Sequence, residues 1–384
     1  MKVKRILSLT TAIMICLFLA VGCSAKPTAT IKIGGNFELT GGYAIYGKSG
    51  ENGVKLAIKQ INEKGGILKK QLEYFGADNH SKDAESTLAA TQLITQNKVA
   101  GIIGPMTSPN TIAAIPIATE NNVPLITPTA IDDNITMGNN GLNNWVFRAC
   151  FSNAYEGEAA ANFAADTLKV SRAAVIVDKG MLYSNTIAAS FIRTFENSGG
   201  KIVSTKQYNS IDTDFRLILS QINSTGADLI FIPGNYNQAG EIIKQARQMK
   251  IDVVFLGGDG WGTGPIAEVA GKEALNKAYY LDQVAMNDPA LADFAAAYKA
   301  EYGEDAPMFA ALAYDAANML ITAIEKTGST DTDKVREALE NMTDFQGITG
   351  NITVDPTTHN PKKSVTVIKF VDGVKTFETR IEPK

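Results

Sequence analysis

The chain has 384 residues, 45% apolar and 20% charged, with 33 glycines and 13 prolines, a globular composition that argues against disorder or a fibrous repeat. Formal charge is −4 from 36 basic and 40 acidic residues, so no nucleic-acid partner is expected. Two histidines, His80 and His359, leave little for His-based catalysis or a metal site, and Cys16, Cys23 and Cys150 cannot build a disulfide framework.

The first elements are not structural. Lys2, Lys4 and Arg5 precede an apolar run from Ile6 to Val21, short for a membrane span, and small residues follow. Residues 1–22 therefore read as a signal peptide. Leu19-Ala20-Val21-Gly22-Cys23 resembles a bacterial lipobox, which implies lipid attachment at Cys23 and a tether over 23–30. Without residues 1–22 the basic count falls from 36 to 33 against 40 acids, a charge of −7. Cys150 is then the one unmodified thiol, expected as buried packing.

At roughly 150 residues per domain, two or three bodies are expected. Residues 29–37 read as a strand. A helix follows with Val54, Ala57, Ile58 and Ile61 at i, i+3, i+4 and i+7, stopped by Gly65 and Gly66. The alternation continues as strand 71–77, helix 84–96, strand 99–103, helix 111–121 and strand 124–127. It restarts after 145–148 with helix 156–168, strand 173–178, helix 186–198, strand 201–208, helix 215–223, strand 228–233, helix 238–249 and strand 253–256. Strand 278–282 is expected to return the chain to the first body. Helices 291–302 and 309–327 follow, then a hairpin of 365–371 and 374–381 turned by Asp372 and Gly373. Such a βαβ rhythm predicts an α/β chain of two Rossmann-like lobes with parallel sheets, crossed several times, around a cleft beyond the strand ends. The expected division is 31–148 with 280–350, and 149–279 with 351–384.

Two loops imitate nucleotide sites. Gly42 to Ser49 (GYAIYGKS) fits the phosphate-cradling GxxxxGK[ST] pattern, leaving a P-loop nucleotide-dependent enzyme as a remote alternative. Against it, Glu38 to Gly41 separate the strand from the motif, and an exported protein meets little ATP. Gly262, Gly264 and Ala267 fit GxGxxA with Asp282 twenty residues after Gly262, but Pro265 removes a donor there. No GxSxG, CxxC or HExxH is present, so no enzyme, cofactor or metal is expected.

The remaining loops resemble one family over nearly the whole chain after the signal. Gly41-Gly42-Tyr43-Ala44-Ile45-Tyr46-Gly47 with the helix NGVKLAIKQINEKGGI looks like the start of type I periplasmic binding proteins of branched-chain amino-acid ABC transporters. Gly104-Pro-Met-Thr-Ser108 and Pro124-Leu-Ile-Thr-Pro128-Thr129-Ala130 are similar to its first-lobe loops. Pro233-Gly-Asn-Tyr236-Asn-Gln-Ala-Gly240 and Gly257-Gly258-Asp259-Gly260-Trp261 are similar to those of its second lobe. The late segments around Tyr298, Tyr302-Gly303 and Tyr314-Asp315-Ala316 match its last helices.

This resemblance implies an extracytoplasmic, lipid-anchored, monomeric binder that hands an amino acid to membrane permease subunits; a sensory module would share the site. A zwitterion needs donors for its carboxylate and an acceptor for its ammonium. Ser108, beside a helix start, suits the carboxylate, with a helix cap as its rival role. The resemblance places backbone groups of Thr129, Ala130 and Ile131 around the α-carbon, and Asp259 is the expected ammonium partner. Tyr46, Tyr183, Tyr236 and Trp261 are candidate walls of an apolar pocket, with lobe packing as the alternative. Phe309 and Tyr314 read as core. Four positions depart from the family's usual pattern: Ile131 stands for a threonine, Asp259 for a glutamate, Asn235 for a tyrosine and Ser184 for a glycine.

Overall fold

A computed structural model describes residues 29–383. The expected signal peptide, Cys16, Cys23 and most of the tether lie outside these residues.

Two sheets form two bodies. The first has strand order β2-β1-β3-β4-β7, all parallel, built from β1 (Ile31–Phe37), β2 (Leu72–Asp78), β3 (Ile102–Ile103), β4 (Leu125–Thr127) and β7 (Val146–Arg148). A small hairpin, β5 (Met137–Gly138) and β6 (Gly141–Leu142), interrupts it. Strands β3, β4 and β7 are buried throughout because helices cover both faces, which removes the polar alternation of a half-exposed strand. Helices α1 (Ala44–Glu63), α2 (Asp83–Gln92) and α3 (Ser108–Glu120) connect the strands. Val54, Ala57 and Ile58 of α1 enter the first core with Ile31, Ile33 and Phe37, as their helical spacing predicts.

The second sheet has order β17-β16-β12-β11-β10-β8-β9. Its parallel part is β8 (Arg172–Asp178), β9 (Lys201–Tyr208), β10 (Leu229–Ile232), β11 (Val254–Gly257) and β12 (Ala278–Asp282). The helices between and before them are α4 (Asn153–Asn162), α5 (Leu182–Asn197), α6 (Arg216–Asn223), α7 (Tyr236–Gln248) and α8 (Ile266–Ala270). The tail hairpin, β16 (Val365–Val371) and β17 (Val374–Ile381), joins antiparallel at one edge, so this sheet is mixed rather than wholly parallel.

Strand β12 corrects an expectation. It pairs with β11 and β16 in the second sheet, and the chain turns back only after Asp282. It then forms α9 (Ala292–Tyr302), α10 (Met308–Thr327), α11 (Thr332–Glu340) and a three-stranded sheet of β13 (Phe345–Gly347), β14 (Gly350–Val354) and β15 (Pro361–Lys363). Ile352 and Val354 of β14 lie in the first core, so the last crossing comes at Ser364 rather than near 350. Helix α11 lies outside the elements expected from the sequence, although Asp331 caps it through the Lys334 N–H and Val335, Ala338 and Leu339 bury its inner face.

The crossings are tied to one another. Phe151 N–H of the first crossing donates to Gln283 Oε1 of the second at 3.2 Å, and Lys363 Nζ beside the third donates to Ala149 O at 3.0 Å. Among the described residues, no helix is long and apolar enough to cross a membrane.

Candidate functional site

The first-body loops are held by one carboxylate. Glu38, fully buried just past β1, accepts from the N–H groups of Met106 and Thr107, each at 3.1 Å, from Thr107 Oγ1 at 2.8 Å and from Asn110 Nδ2 at 2.9 Å. This fixes residues 105–108 against the start of α3, whose positive end faces the loop. Thr129 Oγ1 donates to Met106 O at 2.6 Å, and Asp132 N–H donates to Ser108 Oγ at 3.4 Å. Ser108, Thr129 and Ile131 are thus brought into neighbouring loops and stay half-buried. Thr107, not Ser108, occupies the position before α3, so the capping role expected as a rival for Ser108 does not hold.

Ala130 does not fit a ligand role. Its carbonyl accepts from Arg148 Nη1 at 3.1 Å and from Cys150 Sγ at 3.4 Å, while its N–H donates to Thr127 Oγ1 at 3.2 Å. Both backbone groups are used inside the protein.

In the second body, Asp259 ends the β11 segment and Tyr183 lies in the first turn of α5. Tyr183 Oη donates to Asp259 Oδ1 at 2.7 Å and accepts from Gly260 N–H at 2.9 Å. Asp259 N–H donates to Glu156 Oε1 at 2.6 Å. Burial raises Asp259 above the usual carboxylate range, although the Tyr183 hydroxyl and Gly260 N–H bonds oppose the shift. Burial, then the neighbouring Asp259 charge, pushes Glu156, Tyr183 and Asp282 well above their ordinary values. Residue 258 must be glycine for this cluster to close, since a Cβ there would lie 2.6 Å from Glu156 Oε1 and 2.7 Å from Tyr183 Oη.

A cavity of about 750 Å³ runs between the bodies. Tyr46, Met308 and Phe309 line it from the first body, and Asp259, Tyr280 and Asp282 from the second. The Tyr46 and Phe309 rings meet at a tilt with centroids 4.2 Å apart, so Phe309, packed against the first core as its helical spacing suggests, is also a pocket wall. Tyr314 packs against the first core as expected, half-buried with its hydroxyl donating to Gln60 Oε1 at 2.6 Å.

Two expected walls are elsewhere. Trp261 is fully buried in the second core, its Nε1 donating to Ile232 O at 3.0 Å. Tyr236 lies over Gly264, where a Cβ would meet its ring at 2.3 Å, and it does not line the cavity. Ser184 serves structure, accepting from Asp178 N–H at 3.0 Å. Spacing does not mark Glu38, Arg148 or Glu156, and marks Asp282 only within a false dinucleotide pattern.

The phosphate-loop resemblance dissolves. Residues 44–49 lie within α1, where Gly47 N–H donates to Tyr43 O and Ser49 Oγ to Ile45 O, leaving no open nest of N–H groups. Gly47 is required instead by packing, because a Cβ there would lie 2.1 Å from Glu38 O. Among the described residues, no group of three or more His, Cys, Asp or Glu is placed to hold a metal ion.

A two-lobed α/β body with an interlobe cavity that Asp259 and Asp282 reach from strand ends, and that Ser108, Thr129, Ile131 and Tyr183 do not line, agrees with the family comparison, in which the periplasmic binding protein model matches residues 30–375. The chain belongs to the periplasmic binding protein family. That family consists of extracytoplasmic solute-binding proteins rather than enzymes. A leucine-, isoleucine-, valine-, threonine- and alanine-binding protein of Pseudomonas aeruginosa is 30% identical over 352 residues, covering 92% of each chain. The branched-chain amino acid transporter substrate-binding protein LivJ of Streptococcus pneumoniae, solved in complex with isoleucine, is 34% identical with a TM-score of 0.68 over 92% of this chain and 100% of that one. The leucine-binding protein LivK of Thermotoga maritima is 32% identical with a TM-score of 0.67, covering 92% and 99%.

Proposed function

We propose that this periplasmic binding protein is the extracytoplasmic substrate-binding component of an ABC importer, closing its two lobes on a branched-chain L-amino acid and delivering it to membrane permease subunits. Asp259 carries the reading: a half-buried carboxylate at a strand end, oriented by the Tyr183 hydroxyl and open to the interlobe cavity, is a ready partner for an ammonium group. The Ser108 hydroxyl and the positive end of α3 offer complementary donors for the carboxylate, with backbone groups of Thr129 and Ile131 beside them. Tyr46, Phe309 and Met308 supply an apolar wall for the side chain. Only a closed form contacts the ligand from both lobes, so binding shifts the population towards closure. In the same reading the protein acts as a monomer, without catalysis, tethered to the membrane by lipid on Cys23.

Unfolding and refolding strips any carried-over ligand, after which each L-amino acid is screened by thermal unfolding. Leucine, isoleucine or valine at a hundredfold its Kd adds about 2.7 kcal/mol and raises the melting point. Asp259→Asn weakens that binding at least about tenfold in calorimetry, since one charge-assisted hydrogen bond contributes about 1.5–3 kcal/mol. An affinity equal to that of the unaltered protein removes Asp259 from the site. Stabilisation by ATP·Mg²⁺ in place of amino acids removes the whole reading.

A further inference from the structure

Glu156 is a buried acid that the binding chemistry above leaves unused. It sits in the first turn of α4, 1% exposed, with Oε1 accepting the Asp259 N–H at 2.6 Å. Its Oε2 is closed off from solvent and has no hydrogen-bond partner among the described residues. The titratable groups around it are Asp259 past β11, Tyr183 from α5 and Asp282 at the end of β12. None of them is a cation. The lysine of this neighbourhood, Lys375, interacts with Asp282, and its Nζ donates to Gly262 O and Gly264 O. Carboxylates crowded beside one another do not ionise equally, and Glu156, closed off from the cavity that Asp259 and Asp282 line and with an unsatisfied buried oxygen, is the first to keep its proton.

We propose that Glu156 holds a proton in the ligand-free cleft and gives it up when the ligand's ammonium group docks on Asp259, so that binding one amino acid is linked to the release of one proton. This rests on the amino-acid reading of the site. The O–H bond at Oε2 breaks, its electron pair stays on the carboxyl group, and the proton passes to the buffer while the amino acid remains zwitterionic. The incoming ammonium replaces the proton as the positive charge in the cluster. Glu156 acts through Asp259, whose backbone it holds, and is therefore a positioning residue. The raised affinity of Glu156 for protons, caused first by burial and then by Asp259, runs in the required direction. Affinity accordingly tightens about tenfold per pH unit below the Glu156 titration and levels off above it.

The test is calorimetry of isoleucine binding to the full protein near neutral pH, in buffers with different heats of ionisation. The apparent enthalpy is expected to vary with the buffer's heat, with a slope that approaches about one proton released. Glu156→Gln keeps an oxygen for the Asp259 N–H but has no titrating proton, so its slope falls to near zero and its affinity no longer varies with pH. A protein that binds isoleucine with no buffer dependence overturns the proton linkage and leaves the site reading standing. Full proton release in Glu156→Gln overturns the assignment to Glu156. Failure of isoleucine and every other L-amino acid to bind overturns the site reading and this inference with it. The buffer series on the unaltered protein decides the linkage even if the variant does not fold.

Discussion

Arg148 is fully buried at the end of β7, and its guanidinium forks across the loop after β4: Nη1 donates to Ala130 O at 3.1 Å and Nη2 to Asp132 O at 2.8 Å. A planar fork reaches two carbonyls at once, whereas a lysine ammonium is a single point that cannot. Arg148→Lys is therefore expected to cost about 2–4 kcal/mol in urea unfolding, since hydrogen bonds from charged donors contribute about 1.5–3 kcal/mol each. It also weakens isoleucine binding, because the loop it holds carries Thr129 and Ile131. Unfolding and binding within error of the unaltered protein would show that the loop holds itself. Sequence exposed the loops and hid their supports. The loops that carry Ser108, Thr129 and Asp259 are legible because strand ends and Gly/Pro punctuation mark them. Glu38, Arg148 and Glu156 look like ordinary surface charges until the fold joins Glu38 to residues 68–72 positions away and Glu156 to one 103 positions away. Trp261 misled for the opposite reason: a strand-end aromatic can face a ligand or a core with the same local spacing, and only packing against Gly257 and Tyr280 decides it.

At the scale of elements, hydrophobic period carried most of the βαβ alternation, because each strand and helix buries a face within its own repeat. It could not assign β12, since a strand's period says nothing of which sheet it joins, and β14 is too short and too polar on one side to stand out. Helix α1 shows how a motif can be right in letters and wrong in cause. Gly47→Ala puts a methyl group into the Glu38 backbone, and overpacking of that kind costs about 1–3 kcal/mol, outweighing the helix preference for alanine of about 1 kcal/mol. Its melting point should fall. Lys48→Ala, at an exposed position of the same helix, should stay within about 0.5 kcal/mol. A phosphate-binding loop would give the reverse ranking in a nucleotide assay, with Lys48 the more damaging loss.

Across the whole molecule, the two bodies are joined through buried polar groups rather than a simple greasy contact. Lys363, fully buried, donates to Ala149 O and to Thr349 Oγ1 at 2.6 Å, and Thr349 Oγ1 in turn donates to Asp315 Oδ2 at 2.5 Å, connecting the crossings to α10. Arg380 of β17 pairs with Asp288 beyond the second crossing at 2.7 Å and also donates to Ile348 O. Closure around a ligand must turn about these contacts, so they favour rotation of rigid lobes over loosening of the joint. They also leave a mark on stability. Burial lowers Lys363 from 10.5 to about 8, so between those values the unfolded chain binds the proton that the folded one has lost. Stability from this group is therefore lowest below about pH 8 and recovers as pH rises, by about 1.4 kcal/mol per unit. Above about pH 10 the half-buried Tyr155 and the buried Tyr208, both pushed up by desolvation, act against it, because their unfolded forms ionise first. Urea unfolding at about pH 8 and 9.5 should show the unaltered protein gaining on Lys363→Met, a variant without that titration. A parallel pH response in the two proteins would mean that the lysine is solvated through the joint and that the lobes meet across water.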